Sequence, residues 1–112
     1  MTTTGRGRRA AAPATDLAAL SRCLTALGDP MRQQILVALS REELNVGELA
    51  ARFPLSRPAM SHQLKVLADA DLLVRERRGR ERVYRLHAPR CREFLTQLGA
   101  FIRRCCADAR CC

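Results

Sequence analysis

Apolar residues first fall into a helical period at Leu17, Leu20, Leu24 and Leu27, behind the N-cap type Asp16 and ahead of Gly28, which stops the run. Asp29-Pro30 then restarts the chain with a cap and a proline suited to the first helical position. Ile35, Leu36 and Leu39 give this second helix its apolar face, to about Ser40. After the polar residues 41–43, residues 44–46 read as a short extended segment. Residues 46–53 read as a helical turn or two, with Leu49, Ala50 and Phe53 inward and Pro54 as the stop. Ser56 is an N-cap candidate for a fourth helix, in which Pro58 falls within the first turn and Met60, Leu64 and Leu67 face the core. Its opposite face, Arg57, Ser61, His62, Gln63 and Lys65, is polar and rich in hydrogen-bonding groups.

The period then changes from helical to alternating. Residues 72–86, LLVRERRGRERVYRL, alternate Leu73, Arg75 and Arg77 against Val74, Glu76 and Arg78, and Val83 and Leu86 return beyond Gly79-Arg80. This pattern predicts a β-hairpin turning at that dipeptide. After Pro89 a last helix places Phe94, Leu95, Leu98, Phe101 and Ile102 on one stripe. Residues 1–15 have no apolar period and are expected to form a disordered basic tail containing Arg6, Arg8 and Arg9, with minor-groove contact a lesser role.

Two helices joined by Pro54-Leu55-Ser56 make a helix-turn-helix, and a basic hairpin behind it makes that a winged helix: mainly α with a small β-hairpin. Charge sharpens this reading. The 112-residue chain carries 20 Lys and Arg against 11 Asp and Glu, a net charge of +9, and Lys65 is its single lysine. Over residues 75–85 there are six Arg and two Glu, so the positive charge is concentrated on the hairpin. An exposed polar helix can read base edges in the major groove while arginines on a wing engage phosphate. The candidate DNA contacts are therefore Ser56, Arg57, Ser61, His62, Gln63 and Lys65 on the helix, and Arg77, Arg78 and Arg80 on the wing. Of these, His62 and Gln63 are assigned to base edges, and Arg57, Ser61 and Lys65 to phosphates. No stretch of eighteen apolar residues and no secretory h-region occurs, which predicts a cytoplasmic protein without a membrane partner. No nucleophile with a base, paired carboxylates in a pocket pattern or Gly-rich phosphate loop suggests an enzyme.

Four of six cysteines, Cys105, Cys106, Cys111 and Cys112, crowd the last eight residues. Adjacent cysteines have Cα atoms about 3.8 Å apart, below the usual disulfide range, so these pairs read as thiols available for soft ions or redox chemistry. Cys23 and Cys91 read as buried small apolar residues, with a lesser prospect of adding ligands across a dimer. His87 reads as structural.

LGDPMRQQIL, LSRPAMSHQLKVL and GRERVYRL, within residues 24–86, closely resemble the second helix, recognition helix and wing of the ArsR/SmtB family of bacterial metalloregulatory repressors. The resemblance implies a homodimer built from the first and last helices, which binds a palindromic operator and leaves it when an inducer binds. It also implies inducer sites that this chain lacks. The family's Cys-Val-Cys motif corresponds here to Asn45, Val46 and Gly47, and along the last helix residues 90–104 contain none of the Asp and His that zinc sensors use there.

What remains is RCCADARCC, residues 104–112, which resembles the C-terminal cluster of a subset of arsenic-responsive members. Three thiolates from Cys105, Cys106, Cys111 and Cys112 suit trigonal As(III) or Sb(III). Zinc held by all four ranks below, because adjacent cysteines share a tetrahedron poorly, and cadmium is a further candidate ion. The expected organisation is a tail to residue 15, a DNA-binding and dimerisation domain over 16–104 and a metalloid-binding tail over 105–112. The alternatives are a redox-responsive regulator, an intracellular thiol buffer, a regulator without a small ligand, and a sensor of Cd, Pb or Zn.

Overall fold

A computed structural model describes residues 16–109, so the basic segment 1–15, Cys111 and Cys112 lie outside the described residues. The chain order is α1 (Leu17–Leu27), α2 (Pro30–Leu39), β1 (Leu44–Asn45), α3 (Val46–Arg52), α4 (Arg57–Asp69), β2 (Leu73–Arg78), β3 (Glu81–Leu86) and α5 (Ala88–Asp108). Short polar side chains start most of these helices. Asp16 Oδ1 accepts from the Ala19 amide at 3.1 Å, and Ser56 Oγ from the Ala59 amide at 3.3 Å. At α3 Asn45 Oδ1 accepts from the Glu48 amide at 2.7 Å while the Asn45 amide donates to Glu48 Oε1 at 2.8 Å, a capping box. His87 opens α5, its Nδ1 accepting from the Arg90 amide at 3.0 Å, which is the structural role expected of it.

One core joins the helices to the sheet. Ile35 of α2, Leu49 of α3, Met60, Leu64 and Leu67 of α4, and Leu72 are fully buried, and Leu44, Tyr84 and Phe94 close the core from the sheet and α5. On α1 the buried stripe is Ala19, Leu20, Cys23 and Ala26. Of the expected leucine stripe, Leu17 and Leu24 are 54% and 43% exposed. Three of these four interior positions are small, where α4 and α5 pack against α1, and Leu20 is the one leucine of the four.

The wing is more than a hairpin. β3 pairs with β2 in register Arg78↔Glu81 and, on its other edge, with β1 through Leu44↔Tyr84 and Asn45↔Val83, giving an antiparallel sheet of order β1-β3-β2. The two-residue segment before α3 therefore ties the wing to the helix-turn-helix. The tight turn is the expected Gly79-Arg80, with Gly79 at φ 63°. Among the described residues the other left-handed one is Asp71, φ 62°, where α4 ends: the Leu72 amide reaches back to the Leu67 carbonyl and the Asp71 amide to the Ala68 carbonyl, a Schellman closure.

Candidate nucleic-acid interface

Ser56 begins the recognition helix α4 and is exposed, as are Arg57, Ser61, His62 and Lys65. Steps of four bring Arg57, Ser61 and Lys65 into one line along the outer surface, and His62 sits beside it. Lys65 shares its charge with Asp69, whose Oδ2 lies 3.0 Å from Nζ. Gln63 departs from the expected arrangement. It stands about 200° around the helix from Ser61, next to the core positions Met60 and Leu67, and is half-buried. Its Oε1 accepts from Arg32 Nη1 at 2.8 Å. The polar face read from the sequence is thus narrower by one residue, because a polar side chain flanking a core stripe has an intramolecular partner.

The wing arginines divide in the same way. Arg78 is held by two carboxylates, Glu43 Oε1 at 2.8 Å and Glu76 Oε1 at 3.0 Å, and Arg85 lies 3.4 Å from the same Glu76 oxygen. Arg78 thereby fastens the wing to the loop before β1. Arg77 donates from Nε to the Gly79 carbonyl at 3.3 Å, within its own turn. Among the described residues no carboxylate lies within ion-pair distance of Arg57, Arg75, Arg77, Arg80 or Arg82. Arg77 stands directly opposite Arg82 in the hairpin register, a like-charge pairing that costs stability unless an anion lies over it.

Arg57, Arg80 and Arg82, with Asn45, Val46, Gly47 and Glu81, line a recess of about 300 Å³ where the helix-turn-helix meets the wing. A second recess, about 540 Å³, lies between Lys65 and Asp69 of α4 and Arg75, Arg82 and Tyr84 of the sheet. Arg75 and Arg82 were not singled out from the sequence. The signal was present, since a two-residue turn at Gly79-Arg80 fixes Arg82 opposite Arg77.

The cysteines fall into two environments. Cys105 and Cys106 are exposed on the last turns of α5, which continues helical through both to Asp108. Cys23 is buried and donates to the Ala70 carbonyl at 3.5 Å; Cys91 is half-buried, with its sulfur 3.9 Å from the Leu72 carbonyl. Burial pushes both of these thiols up, against a smaller opposing pull from Arg90. Burial thus favours the protonated form of both thiols. Among the described residues no three His, Cys, Asp or Glu side chains are assembled to hold a metal ion.

Residues 27–76 match a family model described as a helix-turn-helix domain. An arsenical resistance operon repressor of Staphylococcus xylosus is 38% identical over 68 residues, 61% of this chain and 65% of that protein. The solved structure of an ArsR-like transcriptional regulator from Rhodococcus sp. RHA1 superposes with a TM-score of 0.69 at 32% identity, over 81% of this chain and 89% of that one. A homodimeric winged helix-turn-helix DNA-binding domain from Mycobacterium bovis, a possible ArsR-family transcriptional regulator, gives a TM-score of 0.65 at 29% identity, over 75% and 80%. With the recognition helix, the basic wing and a three-stranded sheet joining them, the chain belongs to the ArsR/SmtB family of winged-helix transcriptional regulators.

Proposed function

We propose that the chain is a repressor that binds operator DNA as a homodimer and is released when As(III) or Sb(III) is taken up by C-terminal thiolates. The observation that carries the inducer assignment is the exposed pair Cys105 and Cys106 at the end of α5, followed within six residues by Cys111 and Cys112. Soft trivalent ions favour three thiolate ligands, and no other exposed cysteines are found among the described residues. The name of the Staphylococcus xylosus relative supports the same chemistry.

The dimer reading rests on apolar surface. Leu95 and Ile102 of α5 are 68% and 49% exposed, and with Leu17 and Leu24 of α1 they leave apolar side chains uncovered on both helices. Burying them against a second copy returns about 25 cal/mol per Å². DNA would meet the Arg57–Ser61–Lys65 line with His62 in the major groove, and Arg77 and Arg80 of the wing at the backbone. Bending α5 back over a thiolate-bound ion alters the helix that carries the dimer surface, and so the relative placement of the two recognition helices.

The test uses a duplex selected by the protein from a random library, with a phosphine reductant present throughout. Arsenite should release the wild-type complex, and Cys105→Ser with Cys106→Ser should bind the duplex normally but fail to respond. Release only by oxidant would make the protein a redox regulator, and release by zinc or cadmium but not arsenite would move the assignment to a divalent ion. An unchanged arsenite response in the double variant would place the site elsewhere.

A further inference from the structure

Arg32, on the first turn of α2, reaches in three directions. Its Nε donates to the Ala26 carbonyl at 2.7 Å and its Nη2 to the Thr25 carbonyl at 3.1 Å, both in the last turn of α1, where the Thr25 carbonyl also accepts from the Gly28 amide at 3.2 Å. Its Nη1 donates to Gln63 Oε1 on α4 at 2.8 Å and lies 3.6 Å from Asp29 Oδ2. A guanidinium has no acceptor, so the amide oxygen of Gln63, and not its nitrogen, must face it. Through one side chain the end of α1 is therefore bonded to the middle of the recognition helix.

The packing around this link gives it weight. Beside it, an open recess of about 310 Å³ separates Ser21, Arg22 and Thr25 of α1 from Val66, Asp69 and Ala70 at the end of α4. The two helices are thus incompletely packed on that side. Apolar contact elsewhere between them is non-directional, whereas a planar guanidinium fixes both distance and orientation.

We propose that Arg32–Gln63 is the strut that fixes the recognition helix to the dimerising helix α1, and so sets the distance between the two half-sites the dimer reads. Gln63 is on this view a positioning residue, not a base contact. The inference rests on the dimeric DNA-binding reading above, since half-sites spaced about one helical turn apart demand a fixed geometry between dimer surface and reading surface.

The two roles for Gln63 predict different readouts. Sites are selected from a random duplex library with the full chain, and affinity is then measured for the selected site and for versions with one base pair added to or removed from the segment between half-sites. Wild type should discriminate against the altered spacings by about fivefold or more. Gln63→Met should lose most of that discrimination while keeping the base preference within each half-site, and Gln63→Glu, which still offers Arg32 an acceptor, should restore it. If Gln63→Met does not fold, Gln63→Ala takes its place against the same Gln63→Glu control. Arg32→Met combined with Gln63→Met should relax spacing no further than Gln63→Met alone.

Retained spacing discrimination in Gln63→Met, or a changed preference at a base pair inside the half-site, overturns the proposal. Selection of no sequence by wild type would instead overturn the DNA-binding reading itself, and selection of one undivided half-site would overturn the dimer.

Discussion

The guanidinium of Arg57 occupies the space that a side chain at Gly47 would need: a Cβ built on Gly47 lies 2.6 Å from Arg57 Nη2. The first turn of α3 and the first turn of α4 thus meet with no side chain at one and a long cation at the other. Gly47→Ala must displace the flexible end of Arg57, so the change in stability should stay within about 1 kcal/mol, since alanine also favours the helix. DNA affinity should fall as far as it does in Arg57→Ala. Thermal unfolding and DNA titration of both variants check this, and full DNA affinity in Gly47→Ala would show that Arg57 makes no contact.

The wing arginines should separate by salt dependence. Arg80→Ala removes a cation without a carboxylate partner among the described residues and should reduce the slope of log affinity against log salt by about 0.9. Arg78→Ala removes a cation already held by Glu43 and Glu76, so its slope should change less, and its cost should appear as a lower melting temperature through the lost tie to the β1 loop.

Asp71 sits at φ 62° where α4 closes, a position at which glycine carries no steric penalty. Asp71→Gly should raise stability by up to about 1 kcal/mol, the strain released being partly offset by the greater freedom of the unfolded chain. Denaturant unfolding measures it, and a loss of stability would show that the Asp71 side chain contributes more than its backbone costs.

Exposure and burial predict the order of thiol modification. Alkylation of the native protein should label Cys105 and Cys106 within minutes and leave Cys23 unlabelled until the protein unfolds, as read by mass spectrometry of peptides. The pH sense follows from the raised Cys23 thiol: its protonated form is favoured in the folded state, so its contribution is complete below the ordinary value of 9.0 and is lost as pH rises through the folded value. Stability should therefore decline on the alkaline side, and Cys23→Ala should flatten that decline.

Much of the fold is legible in the sequence because caps and stops are written locally: Asp16, Ser56, Pro54 and Gly79 act within four residues of themselves. What escapes sequence reading depends on distant residues meeting. β1 is two residues long and becomes a strand only because β3 offers an edge opposite Leu44 and Asn45. Gln63 looks like a surface residue until Arg32, 31 positions earlier, is seen to reach it. Arg78 is indistinguishable by type from Arg80, yet Glu43 claims it through the fold. Leu17 and Leu24 have the spacing of a core stripe, and nothing local reveals that Ala19, Cys23 and Ala26 are the residues buried beside Leu20.

From Ile102 to the end of α5 every residue is exposed, so the segment bearing Cys105 and Cys106 is helical without burying a side chain in its own subunit. Such a segment extends an existing helix and bears no nucleation cost, but each added residue gains little, and helix and coil are close to balance there. A ligand that requires a non-helical backbone around the two thiols then chooses from conformations already populated. The reduction in apparent affinity equals the fraction of time the segment spends unwound, which for a near-balanced end is a small factor. Placing a single helix-weakening glycine for Arg104 would shift that balance towards coil and strengthen thiol-dependent binding without touching a sulfur.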